Sequence, residues 1–143
     1  MKIITVIDGD TCIGLDRRGV KRRLRIKNID CPELDQKDGP LAKQFVHKFI
    51  AKKRVWVRLV GRDRYRRFLA HVQVEGADLA TALVREGLAY PTGGNWTLRL
   101  AGWGARLRGK GVHGRWGATK PWQHRSKSRL VRALRYWLRA KFR

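Results

Sequence analysis

Five short segments with the residue pattern of β-strands constrain the fold of this chain more than any other feature. Residues 20–29 show the pattern most clearly, because Val20, Leu24 and Ile26 share one parity while basic residues occupy the other. The other four segments are residues 3–8, 10–16, 54–61 and 68–74. Because the second and third are joined by a tight turn, "DRRG", we expect them to form a hairpin.

The interval between the third and fourth segments has the pattern of an amphipathic helix. Asp38 is placed to cap this helix, Pro40 suits its first turn, and apolar residues recur at helical spacing through residues 41–50. A short helix is predicted at residues 79–86 and a weaker one at residues 96–110. Five short strands around one helix predict an α+β domain, mainly a five-stranded barrel of the OB type with added helices.

Charge is the strongest global signal about a partner. The chain contains 34 Lys+Arg and 11 Asp+Glu, which gives a formal net charge of +23. A surface this cationic attracts polyanions, so nucleic acid is the leading predicted partner and an anionic membrane the second. No obligate protein partner is indicated.

The length of 143 residues suits one domain with a tail. We predict a domain over residues 1–124 and a basic amphipathic helix or tail over residues 125–143, which could contact DNA, a membrane or the barrel. Cys12 and Cys31 lack zinc-ligand spacing and are expected to be two separate thiols, although one disulfide remains an alternative. The compartment stays open, with export after removal of a leader slightly favoured over the cytoplasm.

The few acidic residues are concentrated near the beginning of the chain. Seven of the eleven lie within the first 38 residues. Asp8, Asp10, Asp30 and Glu33 fall at strand ends or in neighbouring turns, where they can converge. Carboxylates forced together repel one another unless a cation neutralises them, so a hard metal ion with oxygen ligands is one explanation. Turn formation and helix capping are the alternative.

Two arginines lie beside these acids in the sequence. Arg25 is in the strand that leads to Asp30, and Arg67 follows the turn before the fifth strand segment. A guanidinium group matches two phosphate oxygens at once and stays charged at any working pH. Their positions therefore indicate contacts with a phosphate held near the acids.

Four motifs together resemble the staphylococcal nuclease family. They are "IDGDT" at residues 7–11, "RLRIKNIDCPE" at 23–33, "DRYRRFLAHV" at 63–72 and "LVREGLA" at 83–89. The resemblance extends over roughly residues 3 to 90, in order and without large gaps. It implies an OB-fold barrel and a calcium-dependent nuclease that cleaves DNA, with RNA as an open second substrate, and leaves 3′-phosphate ends.

The resemblance also implies roles for the acids. Asp10 and Asp30 match the two metal-binding aspartates, and the backbone carbonyl of Cys31 matches a further metal ligand. Glu33 matches the glutamate that is usually assigned as general base for the attacking water. A non-catalytic nucleic-acid binder with the same fold remains the alternative, although a polyanion-binding surface gains nothing from unpaired acids.

The basic positions of the family are matched with one departure. Arg25 and Arg67 match the two arginines that contact the scissile phosphate, and Arg64 and Tyr65 match the pair that contacts a terminal phosphate. Arg66 stands where the family usually has glycine, so a turn that often uses glycine's conformational freedom contains an arginine. We include Arg66 among the substrate-binding candidates, and the register of the following strand favours Arg67 as the residue that faces the phosphate.

Overall fold

The computed structural model describes residues 1–114 and 120–126. Eight strands and three α-helices are formed within these ranges. They are β1 Lys2–Val6, β2 Thr11–Leu15, β3 Lys21–Ile26, β4 Ile29–Asp30, α1 Gly39–Ile50, β5 Val55–Arg62, β6 Phe68–Val74, β7 Ala77–Asp78, α2 Leu79–Arg85, β8 Tyr90–Pro91 and α3 Trp96–Leu107, followed by a 3₁₀ turn at Gly111–His113. The five predicted strand segments therefore correspond to β1, β2, β3, β5 and β6.

The main sheet has the strand order β1-β2-β3-β6-β5, with β7 added to β6. All its neighbouring pairs are antiparallel except β3 and β6, which are parallel because α1 and β5 intervene in the chain. The short strands β4 and β8 form a separate antiparallel pair. The mixed α+β class and the strand inventory are confirmed.

The predicted barrel, however, is not closed. Within residues 1–114 and 120–126 no ladder joins β1 to β5, and a cavity of about 560 Å³ lies between β1 and the chain that enters β5. Four basic residues line this gap, namely Lys2, Lys52, Lys53 and Arg54. Lys52, Lys53 and Arg54 lie in the segment just before β5, and their charged groups favour contact with water, which opposes the approach of β1 to the start of β5.

The core forms where the sheet packs against the helices. Leu24 of β3, Val46 of α1, Val72 of β6 and Leu83 of α2 are almost fully buried in one cluster, and Leu98 of α3 joins them. Asp38 occupies the N-cap position of α1, but its side chain makes no capping hydrogen bond there, whereas the side chain of Asp78 caps α2 by accepting from the backbone N–H of Thr81 at 2.7 Å. The helices thereby hold one face of the sheet rigid.

The register of the sheet brings two turns to one edge. Arg25 of β3 pairs with Thr11 of β2 on one side and with Leu69 of β6 on the other. The turn that precedes β2 and the turn that precedes β6 therefore flank the same stretch of β3. The predicted acids and arginines lie in these turns and on this strand.

Residues 121–126 are helical, and this segment extends across the predicted boundary between domain and tail at residue 125. The boundary itself stays a prediction. The rest of the predicted amphipathic tail, from residue 127 onward, lies outside the described residues. No helix in the described part of the chain is long and apolar enough to cross a membrane.

Candidate active site

The turn between β1 and β2 presents Asp10 to the neighbouring loop. The Oδ1 atom of Asp8 accepts hydrogen bonds from the backbone N–H groups of Asp10 at 2.9 Å and Thr11 at 2.7 Å, which closes a compact turn. Gly9 is required for the approach, because a Cβ atom there would lie 2.8 Å from the Cβ atom of Cys31. The loop of Asp10 and the strand that precedes Cys31 are therefore in direct contact.

Asp10 and Asp30 converge on one guanidinium group. Arg25 forms an ion pair with Asp10, and its Nη2 atom donates to Oδ1 of Asp30 at 2.7 Å. Asp10 also accepts from the backbone N–H of Cys31 at 2.8 Å and from Oγ1 of Thr11 at 3.1 Å. Both carboxylates are nearly inaccessible, with 5% and 4% of their surface exposed. The two acids thus face each other across Arg25.

Burial dominates the electrostatics of Asp10. Desolvation raises the pKa of Asp10 from 3.8 to about 7, and the attraction of Arg25 opposes the rise only in part. Burial also raises the pKa of the Cys12 thiol to about 12 and that of Cys31 well above its usual value. Both cysteines are free and buried, as two separate thiols, so the alternative of a disulfide is not realised.

The turn before β6 fixes the orientation of Arg67. Asp63 accepts from the backbone N–H groups of Tyr65 at 2.9 Å and Arg67 at 3.0 Å, and its Oδ2 atom accepts from Nε of Arg67 at 2.8 Å. Nη1 of Arg67 lies 3.4 Å from Oγ1 of Thr11, beside Asp10. Arg66 has a φ of +63°, a left-handed conformation that favours glycine.

These elements surround an open cavity of about 680 Å³. Seven of the predicted site residues line it, namely Asp10, Arg25, Cys31, Glu33, Arg64, Tyr65 and Arg67. Asp30 lies beneath its wall, in contact with Arg25. Arg66 is exposed and is not among the described residues of the lining. The structure therefore brings together every predicted residue except Arg66.

Arg125 contacts two of the predicted acids and was absent from the sequence-based prediction of the site. Arg125 donates from Nη1 to Oε1 of Glu33 at 2.7 Å and from Nη2 to Oδ2 of Asp30 at 2.6 Å. The contacts raise the pKa of its guanidinium group although burial alone would lower it. The sequence analysis placed this arginine in the predicted tail. The local signal that could have identified it is the pair of apolar residues just before it, Pro121 and Trp122.

Comparison with known proteins confirms the resemblance carried by the motifs. The sequence profile of the family described as "Staphylococcal nuclease homologue" matches residues 23–94, half of the chain. The chain belongs to the staphylococcal nuclease family. The matched range includes Arg25, Asp30, Glu33 and Arg67, whereas Arg125 lies beyond it.

Three relatives show the extent of the similarity. An "Uncharacterized endonuclease" of Escherichia coli is 36% identical over 90 residues, which are 62% of this chain and 58% of that protein. A "Thermonuclease" of Staphylococcus hyicus is 33% identical over 96 residues, or 62% and 56% of the two chains. "Protein ParB" of Escherichia coli is 30% identical over 149 residues, or 89% and 79%. The chain spans little more than half the length of the two nucleases.

Membership of the staphylococcal nuclease family implies a metal ion, and the ligand atoms of this site are suitable for one. Asp10 and Asp30 supply carboxylate oxygens, the ligands that hard divalent cations prefer, and they already face a common cation in Arg25. Residues 1–114 and 120–126 contain no group of three or more His, Cys, Asp or Glu side chains arranged to hold a metal. The two aspartates would therefore bind it together with backbone oxygen and water.

Proposed function

We propose that this chain is a metal-dependent nuclease that hydrolyses phosphodiester bonds in nucleic acids, with DNA as the first substrate to test and RNA as the second. The observation that carries the proposal is the cavity in which Asp10 and Glu33 lie beside Arg25 and Arg67. Such a combination of acids and guanidinium groups suits a phosphodiester better than any neutral substrate. The net charge of +23 supports a polyanionic substrate.

Calcium is the cation that we propose, because the family resemblance implies it and because Asp10, Asp30 and the backbone carbonyl of Cys31 offer the oxygen ligands that hard divalent cations prefer. A divalent cation bound there would neutralise charge on the scissile phosphate. Glu33 is half-exposed at the cavity, where its carboxylate can orient a water molecule and accept its proton.

The arginines supply fixed positive charge around the phosphate. Arg67 is held by Asp63 and directs Nη1 towards the acids, so its guanidinium is already oriented before substrate binds. Arg25 lines the same cavity and forms an ion pair with Asp10 there. Arg64 and Tyr65 lie at its rim, where they can contact a neighbouring phosphate. Arg66 is exposed and contributes only general attraction for the backbone of the nucleic acid.

A second candidate is a non-catalytic nucleic-acid binder. It is favoured by one observation: Arg25 and Arg125 already neutralise Asp10, Asp30 and Glu33, so the acids do not depend on a metal for charge balance. The binder needs no calcium and no intact Glu33, which distinguishes the two candidates by experiment.

Cleavage of supercoiled plasmid DNA, measured with calcium and with excess chelator, tests the nuclease. We expect calcium-stimulated nicking that the Glu33→Gln variant loses by about 10² or more, while its retention of DNA in a filter assay persists. Asp35→Asn is the matched control, because Asp35 is an exposed acid two residues away that does not line the cavity. Equal rates with calcium and with chelator, or undiminished cleavage by Glu33→Gln, would refute the proposal.

A further inference from the structure

Arg125 connects two acids of the candidate active site from a distant part of the chain. Its two terminal nitrogens donate separately to Asp30 at 2.6 Å and to Glu33 at 2.7 Å. The segment that carries it, residues 121–126, lies outside the residues 23–94 that match the family. Neither the family motifs nor the relatives' names assign this arginine a role.

The segment of Arg125 is anchored at the strand that holds Asp30. Pro121 is fully buried, and the ring of Trp122 packs edge-on against the ring of Tyr90 with 5.7 Å between their centroids. Tyr90 is in turn the cross-strand partner of Asp30 in the β4–β8 pair. Because one short ladder supports both partners, the guanidinium group is presented to the acid by packing and not only by charge.

The guanidinium group of Arg125 offsets the repulsion between the carboxylates of Glu33 and Asp30. A third of the Glu33 side chain is exposed, and the nearby Asp30 repels it, so without a cation between them the two carboxylates would move apart. A planar guanidinium can bind one oxygen of each acid simultaneously and fix their separation. The side chain of Arg125 is itself 40% exposed at the cavity, where substrate enters.

We infer that Arg125 is a positioning residue of the proposed nuclease site, which acts by fixing the carboxylate of Glu33 beside Asp30. The inference rests on the proposed function. It has a cost, because a fixed positive charge next to Asp30 weakens the attraction of that acid for a divalent cation. Arg125 should therefore lower calcium affinity and raise the rate of the chemical step.

The experiment measures calcium affinity by titration calorimetry without DNA, and kcat and KM for plasmid cleavage at saturating calcium. For Arg125→Gln we expect calcium to bind about tenfold more tightly, kcat to fall by about 10² and KM to stay within about threefold, as expected when only the reacting geometry is lost. Arg99→Gln is the matched control, because it removes one charge from an exposed position on α3. It should leave kcat and calcium affinity unchanged.

Two further variants separate position from charge. Arg125→Lys keeps the charge but lacks the planar fork that holds two carboxylates at a fixed separation, so its calcium affinity should match the wild type while its kcat remains low. Cleavage by Arg125→Ala should recover when free guanidinium is added well below concentrations that unfold the protein, and equal ionic strength of sodium chloride should not restore it. Circular dichroism verifies that each variant is folded.

Three results would overturn the inference. Unchanged kcat in Arg125→Gln with tighter calcium binding would make the arginine only a competitor of the metal. A raised KM with unchanged kcat would make it a contact of the substrate phosphate. Unchanged calcium affinity and kcat together would remove it from the site. If the wild type itself does not cleave, the proposed function fails, and the calcium titration alone then decides whether Arg125 faces the metal-binding acids.

Discussion

Replacement of Arg25 with glutamine should destabilise the protein strongly when no divalent cation is present. Arg25 is the cation between two carboxylates that are nearly inaccessible, and only 13% of its own side chain is exposed. Removing one partner of a buried ion pair leaves an uncompensated buried charge, which typically costs about 3–5 kcal/mol. Glutamine retains polarity but cannot neutralise Asp10.

The contacts that remain place the expected loss at the lower end of this range. Asp30 retains Arg125 at 2.6 Å, whereas Asp10 retains only neutral donors, the backbone N–H of Cys31 and the hydroxyl of Thr11. One acid therefore stays uncompensated, and we expect a loss of about 3 kcal/mol. Arg25 lowers the pKa of Asp10, which is still about 7 in the folded protein, so removal of Arg25 raises that pKa further; the loss should therefore grow as the pH rises above about 7 and be smallest below it.

Urea unfolding in chelator at pH 9 and pH 5 measures this effect, because a loss of about 3 kcal/mol requires a pH about two units above the wild-type pKa of Asp10. Arg22→Gln on the same strand is the control, since its pair with Asp16 is partly exposed and should contribute no more than about 1 kcal/mol. Calcium at a hundred times its dissociation constant should return about 2.7 kcal/mol to Arg25→Gln. A loss below about 1 kcal/mol at pH 9, or one equal to that of the control, would refute the view that Arg25 neutralises buried acids.

Three smaller predictions concern backbone fit and pH. Gly39→Ala would place a Cβ atom 1.9 Å from the carbonyl oxygen of Glu33, so the loop must shift and kcat should fall about tenfold or more while circular dichroism shows an intact fold. Arg66→Gly should raise the free energy of unfolding by up to about 1 kcal/mol, because glycine relieves the left-handed strain, and cleavage rates should not change. Burial lowers the pKa of His113, whose Nε2 atom lies 2.9 Å from the carbonyl oxygen of Ala89. Stability should therefore fall as pH drops below about 6.5, since the unfolded chain takes up the proton first, and urea midpoints of His113→Gln should lose this slope.

The main strands could be predicted because their pattern is local. Period-two alternation in residues 20–29 and β-branched residues in 3–8 depend only on which side chains face the helices. The pairs β4–β8 and β6–β7 were missed, since a strand of two residues has no period to detect. The prediction of a closed barrel was wrong for a related reason. Closure requires two strand edges that are distant in the sequence to meet, and their charged residues come near each other only in the folded chain.

The acids of the site could be predicted because the chain contains few acidic residues. The arginines of the site could be predicted only in part. Asp10, Asp30 and Glu33 belong to eleven acids, whereas Arg125 is one of 34 basic residues and contacts Glu33 across 92 positions of sequence. No local pattern identifies such a contact. Arg67 was favoured over Arg66 from strand register, and the structure gives the reason: Asp63 holds the side chain of Arg67 towards Thr11, while the left-handed residue before it points outward into solvent-exposed surface.

The choice of arginine at these positions follows from what the acids require before a metal or substrate arrives. Asp30 uses both of its oxygens, one for Arg25 and one for Arg125, so the two guanidinium groups link three acids into one chain of contacts. A lysine in place of either could satisfy one carboxylate but could not space two, and burial could remove its proton. Guanidinium groups keep their own charge at any working pH, so they remain available to the acids wherever the acids are ionised. Two of the 34 basic residues, Arg25 and Arg125, thus have a structural role beyond attraction of a polyanion, because they keep the carboxylate cluster assembled.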